Sequence, residues 1–138
     1  MNSRERVIAA LNHKEPDRVP LDIGSTDVTG ITLGAYKGLL RYREKSQKDI
    51  KFVDIVQQVA KVDEQMLEEF RIDTRGIFPE SSSSWQLKIS DENNHTFFVD
   101  EWGIRWVMPK KYGKYYDMSS HPLSGEKTLE EIENYSWP

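Results

Sequence analysis

The sequence predicts an α/β chain, with strands and helices alternating through the first 80 residues and an antiparallel β-meander after them. Three observations predict it. Apolar residues recur at helical spacing in three separate stretches before residue 72. Short strand-like runs lie between and after those stretches, the alternation expected of parallel strands joined by helices. From Trp85 onward the apolar period changes to two, and polar turns separate the runs.

The elements follow in order. Asn2 and Glu5 have capping-box spacing, and Val7, Ile8 and Leu11 then line one face of a first helix. Pro16 disfavours helix at Glu15, so that helix ends near His13 or Lys14. Arg18 to Ile23 reads as a short strand, with Pro20 at its first turn or on an unpaired edge, and Gly24 to Asp27 breaks it. Thr32 to Lys45 reads as a helix with Leu33, Tyr36, Leu40 and Arg43 on one stripe. Phe52 to Val56 fits strand or helix. Val59, Val62, Met66, Leu67 and Phe70 form the apolar face of a further helix with acidic residues opposite. Ile77 and Phe78, before Pro79, read as a second strand.

The meander takes up the next part of the chain. Ser81 to Ser84 is a four-serine loop and marks the one change of composition. Trp85, Leu87 and Ile89 alternate with polar residues, Asp91 to Asn94 turns, and Thr96 to Trp102 returns. Ile104, Trp106 and Met108 alternate again, and Tyr115 to Met118 forms the last strand. Thr128 and Glu131 make a second capping box, opening a helix to about Tyr135. The organisation read from this is residues 1–80 as the first α/β units, 81–120 as an inserted meander and 121–138 as the start of a next unit.

Composition narrows the function classes. Hydrophobic residues make up 37% and charged residues 30% of the 138, enough for a core on a polar chain. The net charge of −4 argues against a general nucleic-acid binder. The basic run from Lys37 to Lys51 is interrupted by Glu44 and Asp49 and reads as a solvated face. With no cysteine, the chain offers neither disulfides nor thiolate chemistry nor Cys-ligated metal. No run approaches the roughly 20 apolar residues of a membrane span. The charged opening residues do not read as a signal peptide. A cytoplasmic protein without a membrane or nucleic-acid partner is expected.

Candidate site residues are few. Asp22 ends the first predicted strand just before Gly24, the place where parallel α/β folds build sites. The plainer reading is a cap on the following turn or a partner for Arg18. Arg75, in the second predicted strand, could face the same mouth or sit in an ion pair. Asp100 and Glu101 are adjacent on a strand and so point to opposite faces. His13, His95 and His121 lack the spacing of a metal pair. The aromatic residues between Trp85 and Tyr116 read as the core of a thin sheet rather than a stacking platform.

The opening stretch "SRERVIAALNHKEPDRVPLDIG" resembles the N-terminus of the uroporphyrinogen decarboxylase family in the broad sense. Further stretches, "FVDIVQQVAKVDEQMLEEFRIDTRGIFP", "DEWGIRW" and "YYDMSSHPLSGEKTLEEIENYSWP", resemble its methyltransferase-like branch. The resemblance implies a (β/α)8 TIM-type barrel. A barrel needs about 250 residues, so it implies the N-terminal portion of one. It implies an enzyme of cobalamin-dependent methyltransferase type, with this portion inactive alone. The alternatives are a genuine uroporphyrinogen decarboxylase, or a non-catalytic interaction module. Zinc and a corrinoid protein are implied for the full-length enzyme, with no cofactor in this chain. Partners implied are the remaining barrel half or a homo-oligomer. Asp22 and Arg75 would then touch substrate. The arginine-rich segment of true decarboxylases is absent, since that place reads "DIGSTDVTG".

Overall fold

The computed structural model describes residues 1–79, 82–83 and 85–138. They form two compact units, Met1–Phe78 and Pro79–Pro138.

The first unit opens with α1 (Ser3–Leu11). Its capping box is made as the spacing predicts: the Asn2 side chain accepts from Glu5 N–H at 2.8 Å, and Asn2 N–H donates to the Glu5 carboxylate at 2.9 Å. The buried face is not the predicted one. Arg6 and Ala9 turn inward, while Leu11 is 75% exposed. The Arg6 guanidinium decides this, because it binds Asp17 through two nitrogens at 2.7 and 2.9 Å and Asp73 at 2.5 Å. Ion pairs from distant segments thereby override the apolar stripe.

A three-stranded sheet follows, from β1 (Ile31–Thr32), β2 (Phe52–Asp54) and β3 (Val59–Ala60), in the order β1-β3-β2. Both pairings are antiparallel. Between β1 and β2 runs α2 (Leu33–Tyr42), capped by Thr32. After β3 comes α3 (Glu64–Glu69), a short helix capped by Asp63, which accepts from Met66 N–H at 2.9 Å. The core of this unit gathers Tyr36, Leu40, Ala60, Val62, Met66 and Leu67.

The second unit is a four-stranded antiparallel meander, β4 (Ser90–Glu92), β5 (His95–Val99), β6 (Arg105–Pro109) and β7 (Asp117–Ser120), in sequential order. Phe98 and Tyr116 are its buried residues, meeting edge to face at 4.9 Å, and Phe98 stacks on Trp106 at 6.5 Å. Asp100 organises the turn after β5, accepting from the backbone of Trp102 and Ile104 and from the Trp106 indole. α4 (Leu129–Glu133) carries the predicted capping box of Thr128 and Glu131. Of the four-serine loop, Ser81 and Ser84 lie outside the described residues.

The expected fold class is corrected. Among the described residues every strand pairing is antiparallel, and the chain forms two small sheets with short helices, not part of a (β/α)8 barrel. Only four residues separate β2 from β3, far too few for the crossover of a dozen or more that parallel neighbours require. Arg18 to Ile23 is not a strand. Pro16 and Pro20 remove backbone donors there, and Leu21 N–H is taken by the Asp73 carboxylate at 2.9 Å. Gly24, at φ +76, ends the segment in a turn. Ile77 and Phe78 form no strand, and Ile77 is 98% exposed. Trp85 to Ile89 also lies outside the meander, whose first strand starts at Ser90.

The chain exposes much of its surface. Its accessible area is 10432 Å². No helix of the described residues is long and apolar enough to cross a membrane.

Candidate functional site

In the first unit a cavity of about 540 Å³ reaches down to the core. Its apolar floor comes from Tyr36 and Leu40 on α2, from Ile50, from Val62, from Leu67 on α3 and from Phe78. These residues sit together because α2 and α3 each turn an apolar face onto the β3 strand and its continuation. Lys48, Lys51, Lys61 and Arg75 also line it, as do Asp49, Asp63 and Glu64.

Tyr36 and Asp63 lock the floor. The buried Tyr36 hydroxyl donates to the Asp63 carboxylate at 2.5 Å and accepts from Asp63 N–H at 3.1 Å. Burial, and then the adjacent carboxylate, pushes the Tyr36 phenol up to about 12. It is therefore a neutral donor at physiological pH and no base. Asp63 is also the cap of α3, so one carboxylate fixes two helices.

Arg75 lines the cavity with its guanidinium largely committed. Nε donates to both Glu64 oxygens at 2.9 and 3.0 Å, Nη2 donates to Glu64 at 2.7 Å, and Nη1 binds the carbonyls of Ile72 and Thr74. The Glu64 hydrogen bond raises its pKa further. Asp22 is held by other residues. It accepts from Ser25 N–H at 3.2 Å, from the Ser25 hydroxyl at 2.6 Å and from the Thr74 hydroxyl at 2.6 Å. Burial pushes its carboxyl up, but the hydrogen bonds from Ser25 and Thr74 outweigh that and hold it below the usual range. Asp22 thus pins the Gly24 turn to the segment that carries Arg75, while Arg18 pairs with Asp73 instead.

The motif residues meet in a cluster that sequence reasoning missed. Arg6 from "RERV", Asp17 and Arg18 from "DRVP", and Asp73 from "IDTRG" form one ion-pair network. The Asp73 side chain is fully buried and accepts from Arg6, from both terminal nitrogens of Arg18 and from Leu21 N–H. Burial alone would raise its pKa; the Leu21 amide and the two arginines hold it well below the carboxylate range. The Arg6 guanidinium does the same for Asp17. Nothing in local spacing signals this cluster, because its partners lie 67 and 55 residues from Asp73.

Chemically, the shifted groups move away from neutrality: Asp17, Asp22 and Asp73 down, Tyr36 and Arg75 up. None of these is poised for proton transfer near pH 7. Among the described residues no group of three His, Cys, Asp or Glu is placed to hold a metal ion. Glu101, Tyr135 and Trp137 line a shallower hollow of about 460 Å³ in the second unit. No family model matches the chain, and neither a curated protein nor a solved structure matches it.

Proposed function

We propose that this chain is a non-catalytic interaction module that associates with a barrel enzyme of the uroporphyrinogen decarboxylase family, of the cobalamin-linked methyltransferase type. The observation that carries the reading is surface. The first unit leaves apolar side chains on its surface, Leu11 at 75% and Val19 at 74% exposure among them. Large apolar side chains lie in that surface, with Ile77 98% and Val28 89% exposed. Apolar side chains left exposed favour docking where they gather into a patch. The resemblance of the opening motifs supports the choice of partner. The committed state of Arg75, Asp22 and Tyr36 supports a role without turnover.

The test is sedimentation of the full chain with a purified methyltransferase barrel of that family. A one-to-one complex is expected, with slowed hydrogen exchange around Val28 and Ile77. The chain alone is expected to show no methyl transfer from methylcobalamin to a thiol. A chain that remains a monomer, binds no hydrophobic dye and ignores the barrel contradicts the reading, as does turnover by the chain itself.

A further inference from the structure

Two lysines at the mouth of the first unit's cavity face each other across a strand pairing. Phe52 is paired with Ala60, and Lys61 N–H donates to the Lys51 carbonyl at 2.8 Å, so Lys51 and Lys61 stand directly opposite. Like charges in that position repel and weaken a sheet. The chain supplies no relief: among the described residues neither lysine has a carboxylate partner, and nor does Lys48, which lines the same cavity. Some other cations of this unit are matched, Lys45 and Arg43 by Glu69 and Arg75, on the same cavity, by Glu64.

The carboxylates of the cavity do not answer the three lysines. Asp63 is taken by Tyr36 and the start of α3, and Glu64 is taken by Arg75. Asp49 is the uncommitted one, against three uncommitted ammonium groups. Beneath this positive rim the floor is the hydrophobic core itself, with Tyr36, Leu40, Val62 and Leu67 shared between core and cavity. A volume of about 540 Å³ falls in the range of small-molecule sites.

We infer that this cavity binds an organic anion with an apolar body, a carboxylate or phosphate monoester on an aliphatic or aromatic group. The head lies between Lys51 and Lys61 and within reach of Lys48, and the body rests on Leu40, Ile50 and Leu67. The bound anion cancels the cross-strand repulsion, which gives it an advantage over a neutral ligand of the same shape. The inference rests on the cavity and is independent of the interaction-module reading.

Calorimetric titration of the full chain at low salt tests it, with decanoate, decyl phosphate, decanol and decyltrimethylammonium as probes. Two exposed ion pairs together contribute about tenfold, so at least one anion is expected to bind about tenfold more tightly than decanol. The anion that does so identifies the head group. The K51Q/K61Q double variant is expected to lose that preference while its affinity for decanol is unchanged. Its ligand-free melting temperature is not expected to fall, because repulsion has been removed. K111Q, in the other unit, is expected to bind as the parent does. Equal affinity for decanol and both anions overturns the inference. So does tighter binding of decyltrimethylammonium, or a double variant that keeps the anion preference. Loss of the barrel complex with retained anion binding would bear on the proposed function alone.

Discussion

At the scale of single residues, Asp73 holds the first unit's long-range connections. It takes hydrogen bonds from two arginines and from the Leu21 amide while its side chain is fully buried. Removing its charge leaves Arg6, 7% exposed, without its inner partner. The D73N variant is expected to lower the melting midpoint by about 5 °C or more in a thermal scan. The pH dependence has a definite sign. Because the folded Asp73 and Asp17 carboxyls titrate below their unfolded values, their stabilisation is complete above the unfolded pKa near 4. It is lost progressively as pH falls below that, and D73N is expected to flatten the acid limb measured by circular dichroism. Tyr36 makes a separate contribution. Y36F strands the Asp63 amide and carboxylate oxygen, and should cost about 1–3 kcal/mol in denaturant unfolding.

At the scale of elements, local signals were legible where the hydrogen bonds are local. Both capping boxes were read from spacing, because the partners lie three residues apart. T128A is expected to cost about 0.5–2 kcal/mol of α4 stability, read as lost helical ellipticity. The stretch from Val59 to Phe70 was misread as one helix. Val59 belongs to β3 and Asp63 caps α3, so the helical stripe joined residues of two elements. Asp63, an N-cap residue type before Glu64, is the signal that places the boundary, since it caps Met66 N–H three residues on. Core truncations then test each unit separately. M66A in the first unit should cost about 2–5 kcal/mol, and F98A in the second about 3–5 kcal/mol, in equilibrium unfolding.

At the scale of the whole molecule, the exposed side chains of Ile77 and Val28 belong to the proposed interface. Substituting Ile77 and Val28 together by Ser should change stability by less than about 0.5 kcal/mol per site, since both side chains are exposed. The same pair should reduce hydrophobic-dye fluorescence and weaken the barrel complex about tenfold or more. Unchanged dye binding and unchanged association would place the interface elsewhere. The anion cavity was not legible at this scale either. Lys51 and Lys61 are ten positions apart in the chain, and their opposition exists only through the β2–β3 register.

The amino-acid sequence by itself determined the helix caps, the later period-two strands of the meander, the breaks at Pro16 and Gly24, and the absence of thiol chemistry. Those features depend on contacts within a few residues or on composition. Strand partners, the inward turn of Arg6, the burial of Asp73 and the lysines around the cavity were decided by tertiary structure alone. Alternating helices and strands are compatible with parallel or antiparallel pairing, and only the contacts between distant segments select between them.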